Sequence, residues 1–467
     1  MRYVSTRGGA APVGFLDALL NGLAPDGGLY VPEAWPTLDP MIVKAAATAP
    51  YHRTAAAVLK LFAGEDLTLA TCEAIATRAY GGQWAHPAVA PLRQTGPGEH
   101  VLELTHGPSL AFKDVAMQMI AGLYDHVLSA RGRRLAVVCA TSGDTGGAAV
   151  EALKGAAHAD VFVLLPAGRV SEVQRRFMTG SGAANVHACV LDGDFDAAQA
   201  IVKALFAEVA FCDEVGLSPV NSINWARIVA QSVYYVVAAS ALSAGGPVHF
   251  TVPSGNFGDA LAGHVAKRIG APVGRIMIAT NANDGIARAF ATGRYAKTAA
   301  STATLSPAMD ISVASNFERI MFEAVDRDPV RLKPLYDAFA QSGAYAVPED
   351  ALAFLTLHFD ARGVDDGETR AAIRNAHEST GEVLCPHTAV GWHARFGPDD
   401  VDGARVLLAT AHPAKFPETV TEVLGAPPPL PAHCADLFER EERFVALPAE
   451  VGAVKAAIRA ALAPRAG

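Results

Sequence analysis

Leu135-Ala136-Val137-Val138-Cys139-Ala140-Thr141 runs into Ser142-Gly143-Asp144-Thr145-Gly146-Gly147, and the chain continues through the small-residue stretch Ala148–Lys154. The β-branched run predicts a buried strand, the hydroxyl- and glycine-rich segment a turn, and the alanine-rich run a helix. The same order recurs downstream. Candidate strands are Val161–Leu165, Val186–Leu191, Val248–Val252, Arg275–Thr280 and Arg405–Thr410, and helical periodicity fits Phe195–Phe211, Ala226–Ala244 and Asp259–Ile269. Short apolar strands separated by longer helices mark parallel sheets covered on both faces, so the fold class is α/β.

Residues 1–95 read differently. Helical segments at Phe15–Leu23 and Ile42–Phe62, with the turn Ala24-Pro25-Asp26-Gly27-Gly28 between them, predict a mostly helical N-terminal domain. The remainder divides into a large α/β domain of residues 96–135 and 226–467 and a small one of residues 136–225. Residues 326–375 read as helical and polar, and Gly425-Ala426-Pro427-Pro428-Pro429-Leu430-Pro431 is a stiff linker to a final helix expected on the outside.

The chain has 467 residues, 51% apolar and 18% charged, a balance that excludes disorder as its main state. Its net charge of −9 lacks the basic excess of a phosphate-backbone binder, so nucleic acid is not expected as a partner. An anionic small molecule remains open, because a few local cations and amides set the field of a pocket. Cys72, Cys139, Cys189, Cys212, Cys385 and Cys434 are scattered, with no zinc spacing, so no metal is expected and reduced thiols in a cytoplasm fit. The opening nine residues have no apolar signal region, and the run Val233–Ala244 is too short for a bilayer, so no membrane association is expected.

Three constellations can carry chemistry. Strand Val248–Val252 leads into Pro253-Ser254-Gly255-Asn256-Phe257-Gly258 and a helix, which places free N–H groups at a positive helix end suited to a phosphate; an ordinary βα turn would look the same. No Gly-x-x-x-x-Gly-Lys-Ser/Thr exists to favour ATP. The loop Thr141–Gly147 offers hydroxyls and amides to a carboxylate, or serves only as a helix cap. In His106-Gly107-Pro108-Ser109-Leu110-Ala111-Phe112-Lys113-Asp114 the lysine sits among apolar residues, where burial would favour the neutral, nucleophilic amine; a lysine snorkelling to solvent is the alternative.

A reactive lysine, a phosphate cradle and a carboxylate loop are together what a pyridoxal-phosphate enzyme acting on an amino acid needs. With Asn221-Ser222-Ile223-Asn224-Trp225-Ala226-Arg227, Ser306-Pro307-Ala308-Met309-Asp310-Ile311, Ser315-Asn316-Phe317-Glu318-Arg319 and Thr410-Ala411-His412-Pro413-Ala414-Lys415-Phe416, they resemble the threonine synthase family, in the family's order. Tyr3-Val4-Ser5-Thr6-Arg7-Gly8 and Asp26-Gly27-Gly28-Leu29-Tyr30-Val31-Pro32 resemble its longer form, so the match runs from residue 1 to about 420.

The resemblance implies the fold type II architecture, with two open parallel-sheet domains and the helical N-terminal domain, and pyridoxal 5'-phosphate as cofactor. It implies a carbon–oxygen lyase that turns O-phospho-L-homoserine and water into L-threonine and phosphate, the last step of threonine biosynthesis, by β,γ-elimination and β-hydration. The partner is then a small molecule, and the enzyme a monomer, with a dimer as the other option. By motif, Lys113 matches the Schiff-base lysine and the catalytic base, Ser254, Gly255, Asn256, Phe257 and Gly258 the cofactor-phosphate loop, and Thr410 the hydroxyl facing the pyridine nitrogen. Ser142, Gly143 and Thr145 match the substrate-carboxylate loop. For the substrate phosphate the candidates are Arg227 and Asn224, three apart as on one helix face, then Ser109 and Lys415; an interdomain salt bridge is the other reading of Arg227.

Two positions depart from the pattern. Asp144 stands where many relatives carry Asn against the cofactor's ring hydroxyl, so it is either protonated or accepts a proton from that hydroxyl. Cys385-Pro386-His387-Thr388 replaces Asp-Pro-His-Thr, and Cys385 reads as a buried apolar residue. A phospho-lyase releasing a keto acid on the same scaffold and a non-catalytic binding relative are the competing readings.

Overall fold

The β-branched runs become the central strands of two open sheets in the computed structural model, which describes residues 1–141, 143–168, 170–219, 222–243, 246–298 and 301–463. The smaller sheet is wholly parallel, in the order Val445–Pro448, Val186–Asp192, Ala159–Pro166, Leu135–Ala140, Leu217–Pro219. Every residue of its central strand Ala159–Pro166 is buried, as a strand covered on both faces requires. The larger sheet runs Phe359–Gly363, Val273–Thr280, Val248–Pro253, Ala404–Ala409, Glu99–Glu103, Leu92–Gly96, parallel except for the hairpin formed by the last two. This is the expected α/β class with two parallel-sheet units.

Helix Trp225–Leu242 is buried on nearly all sides and joins the layers. Among the described residues no helix is long and apolar enough to cross a membrane. The N-terminal helices Phe15–Asn21, Pro40–Ala46, Tyr51–Ala63 and Leu69–Ala79 precede the two sheets, with the small pair Tyr3–Ser5 and Tyr30–Pro32 beside them. Trp225, at the start of the central helix, meets the rings of Tyr3 at 6.2 Å, Trp35 at 6.2 Å and Phe62 at 5.9 Å. Aromatic pairs of this kind add about 0.5–1.5 kcal/mol each beyond the area they bury.

Four expectations change. The helix expected over Ile42–Phe62 is two helices, because Pro50 lacks an N–H and takes an extended ψ of 136° before Tyr51–Ala63. The one expected over Phe195–Phe211 breaks after Ala207, where Glu208 turns to φ −97° and ψ 90° before a short helix Val209–Val215. Residues 326–375 are not simply helical, since Phe359–Gly363 forms the edge of the larger sheet. The C-terminal stretch, assigned from sequence to the large domain and to the outside, crosses to the smaller sheet: Val445–Pro448 is its edge strand, and helix Val451–Leu462 packs Val454 and Ile458 against Val138, Leu164 and Leu205. A four-residue strand is too short for periodicity to register.

Because Ile458 is fully buried in that core, Ile458→Ala is expected to lower stability by about 2–5 kcal/mol. Urea unfolding checks this; a helix resting on the surface would shift the midpoint by no more than about 0.5 kcal/mol.

Candidate active site

The carboxyl ends of strands from both sheets face one cavity of about 270 Å³, lined among others by Ala140, Pro253 and Thr410. Ligands of open α/β sheets bind at such crevices. The loop leading to Lys113 is fastened to the end of strand Ala404–Ala409 by two backbone bonds: Phe112 N–H donates to the Thr410 carbonyl at 2.8 Å, and His412 N–H to the Leu110 carbonyl at 2.9 Å. Leu110 adopts φ +63°, a left-handed conformation that a branched residue keeps only when its surroundings force it. Asp114 closes the loop by accepting from the Ser109 N–H at 2.8 Å and hydroxyl at 2.7 Å. A Cβ on Gly107 would lie 2.5 Å from that carboxylate, so only glycine fits.

Lys113 opens helix Lys113–Arg131 and points into the cavity, buried, with its Nζ 3.5 Å from Asp144 Oδ2 and 4.6 Å from the centre of the Phe112 ring. Burial pushes its pKa down; Lys415 and Arg227 act the same way, and Asp144 opposes them. The amine thus has the property expected from its apolar neighbours. Burial pushes the Asp144 carboxyl up, but Lys415 and Lys113 overcome this and hold it well below the usual carboxylate range. Asp144 is therefore ionised, accepting from Lys415 at 2.9 Å and Gln174 at 3.1 Å.

Strand Val248–Pro253 delivers Ser254-Gly255-Asn256-Phe257 to the start of helix Gly258–Arg268. Phe257 caps that helix at φ +63°, and Asn316 donates to the Asn256 carbonyl from its backbone at 3.1 Å and its side chain at 3.2 Å. A Cβ on Gly255 would come within 3.1 Å of the Ala308 carbonyl, so the loop is bare because the neighbouring turn Pro307–Met309 leaves no room. Ser254 Oγ and Thr410 Oγ1 are buried without a hydrogen-bond partner among the described residues. Orphaned hydroxyls lining one cavity, with a helix N-terminus beside one of them, fit a group carrying a phosphate and a ring nitrogen. Pyridoxal phosphate matches this donor set.

Arg227 also lines the cavity, 4% exposed, and makes no ion pair among the described residues; its Nε has no partner. Burial lowers its pKa to about 10. The interdomain salt bridge is thus absent among the described residues. Thr145 lines the cavity as well.

Other expected residues lie off it. Asn224 is not on a helix face but is the N-cap of the helix: its side chain accepts from Ala226 N–H at 3.1 Å and donates to the Leu19 carbonyl at 2.8 Å. Ser109 is spent on Asp114, and the Gly143 N–H on Thr141 Oγ1 at 2.9 Å. Lys415 sits on Asp144, outside the cavity lining. Ser142 lies outside the described residues. Cys385 caps helix Pro386–Ala394 through Thr388 N–H at 3.3 Å, and burial pushes its thiol pKa up, so it is an inert cap.

Sequence reasoning missed several lining residues, among them Gln231, Gln199, Phe195, Asp259 and His387. Gln231 follows Arg227 by one helical turn, a signal that was present. His387 accepts from Ala308 N–H through Nε2 at 3.1 Å, and burial lowers its pKa to about 4.

Two open parallel sheets meeting over a buried lysine and a glycine-rich phosphate cradle define a pyridoxal-phosphate-dependent enzyme of fold type II. Comparisons with known proteins agree: a family model described as pyridoxal-phosphate dependent enzyme matches residues 100–408, threonine synthase N terminus residues 2–80, and threonine synthase, C-terminal, residues 388–458. The chain is 46% identical to threonine synthase of Pseudomonas aeruginosa, covering 98% of this chain and 97% of that one. It is 36% identical to threonine synthase of Saccharomyces cerevisiae, covering 91% and 89%. The solved structure of pyridoxal-phosphate-bound threonine synthase from Brucella melitensis superposes with a TM-score of 0.95 at 47% identity, covering 99% of each chain. The chain belongs to the threonine synthase family, and its cofactor is pyridoxal phosphate.

Since Asn224 caps rather than lines, Asn224→Ala is expected to cost about 1–2 kcal/mol of stability while changing KM less than Arg227→Ala does. Thermal unfolding and steady-state kinetics on the two variants check this.

Proposed function

We propose that the chain converts O-phospho-L-homoserine and water to L-threonine and phosphate. The observation that carries this reading is Arg227, a buried guanidinium with no counter-ion among the described residues, in the same cavity as Lys113. A buried charge without a partner is costly, and a phosphate dianion supplies the partner. A hydroxy-amino acid without phosphate would leave the charge uncompensated.

Pyridoxal phosphate, when bound, supplies the electron sink that allows an amino acid to lose protons near its α-carbon. The chain supplies the rest. Ser254, Gly255, Asn256, Phe257 and Gly258 hold the cofactor phosphate, Thr410 offers a neutral hydroxyl to the ring nitrogen, and ionised Asp144 accepts from the ring hydroxyl. Lys113 binds the cofactor and, once released, moves protons at the α- and β-carbons, a role that needs the amine neutral at working pH. Thr145 and the adjoining Ser142 hold the substrate carboxylate; Gly143 contributes the φ of +135° that shapes the turn. Arg227, extended by Gln231, takes the substrate phosphate and stabilises it as it leaves. Asn224 and Ser109 serve the site by fixing the helix start and the lysine loop. Phe195 and Gln199 reach the cavity from the smaller domain, so closure of that domain would exclude water until the hydration step.

A monomer completes this reading, and six unpaired cysteines support a reducing cytoplasm.

Cofactor-loaded protein given O-phospho-L-homoserine is expected to release phosphate and threonine in equal amounts, with Lys113→Ala inactive. Phosphate accompanied by keto acid in place of threonine would replace the synthase reading by a phospho-lyase. Arg227→Ala is expected to lower kcat/KM by about 10- to 100-fold, the loss of a charged hydrogen bond to phosphate; an unchanged value would remove Arg227 from the substrate site.

A further inference from the structure

Lys415 is 1% exposed and absent from the cavity lining, yet it ends on a buried carboxylate. Its Nζ lies 2.9 Å from Asp144 Oδ1 and donates to the Ser109 carbonyl at 2.7 Å. Gln174 Nε2 donates to the same Oδ1 at 3.1 Å, so two donors converge on one oxygen and leave Oδ2 to face Lys113 at 3.5 Å. The lysine is itself fixed from both sides: its N–H reaches the His412 carbonyl at 3.1 Å, and the Ser171 hydroxyl donates to its carbonyl at 2.8 Å.

Asp144 alone would hold Lys113 as an ammonium, the wrong state for a nucleophile. Two amines share this one carboxylate. Lys415 has two close acceptors and Lys113 one distant acceptor, so the carboxylate is held by Lys415 more closely than by Lys113. The other charged or titratable groups facing Lys113 are Arg227, Asp259 and His387. Arg227 acts with Lys415, and neutral His387 adds no charge at working pH. Asp259, its Oδ1 accepting from Tyr234 and Tyr235, is raised by burial to about 6 and opposes them once ionised.

We propose that Lys415 is a positioning residue for the catalytic amine: it pins and neutralises Asp144, so that Lys113 is the lysine that gives up its proton. This rests on the reading of Lys113 as the cofactor-bearing amine. The proposal predicts a sign. A folded-state pKa below the ordinary lysine value keeps the amine reactive down to lower pH, and removing Lys415 raises that pKa, so reactivity is lost sooner as pH falls.

The test is the rate at which full-length protein, stripped of cofactor, captures pyridoxal phosphate on Lys113, followed by absorbance across pH, alongside the acid limb of kcat, which reports the released amine. In Lys415→Met the midpoint of both profiles is expected to move up by about one pH unit, while Lys415→Arg stays near the parent. Should Lys415→Met not fold, Lys415→Gln carries the same expectation, and Asp144→Asn with Lys415 intact moves the midpoint down. A neutral variant with an unmoved midpoint, or an Arg variant shifted as far as the Met one, overturns the proposal. Parent protein that captures no cofactor on Lys113 overturns instead the assignment of the lysine itself.

Discussion

The Phe112 N–H to Thr410 carbonyl bond, at 2.8 Å, is the constraint on which the site depends. It joins the start of the Lys113–Arg131 helix to the end of a strand far along the chain, and the His412 to Leu110 bond beside it fixes the direction of the join. Lys113 and Thr410 both line the cavity, and this backbone pairing links the two segments that carry them. Left-handed Leu110 and Phe257 are strained at the two edges of that arrangement, each where the chain must turn sharply to present a functional group.

Within that frame the site works by distributing charge in a water-poor cavity. Lys113 and Arg227 share the cavity with two acids: Asp144, held below the usual carboxylate range, and Asp259, raised by burial to about 6. Burial disfavours charge on either side chain: it pushes the Lys113 pKa down, and it leaves the Arg227 guanidinium without a counter-ion among the described residues. The proposed nucleophile and the proposed partner of a phosphate thus owe their properties to the same burial. A chain with net charge −9 thus keeps a buried guanidinium at its cavity.

Local chemistry made part of this legible in the sequence. Gly255 is bare because the Ala308 carbonyl comes close, and the strand–turn–helix order around it is written in adjacent residues. Arg227 and the lysine loop were legible for the same reason. Asn224 was misread because spacing by three assumes that both residues are inside the helix, whereas a residue of its type prefers the cap. The Lys415–Asp144 pair and the edge strands Phe359–Gly363 and Val445–Pro448 depend on contacts between distant segments, which no periodicity encodes.

The N-terminal domain acquires a role through Arg319. This guanidinium is fully buried and has no carboxylate hydrogen-bond partner; it donates to the Tyr30 carbonyl at 3.0 Å, Asn316 Oδ1 at 2.6 Å and the Ile223 carbonyl at 2.7 Å, and lies 5.3 Å from the Trp225 ring centre. Asn316 is the residue that holds the Asn256 carbonyl of the phosphate cradle, and Ile223 precedes the cap of the helix bearing Arg227. One side chain therefore ties the N-terminal strand Tyr30–Pro32 to the cradle and to the start of the Arg227 helix. Removing it would leave three polar groups unpaired in the interior, so the N-terminal domain and the phosphate-binding loops are constrained to order together.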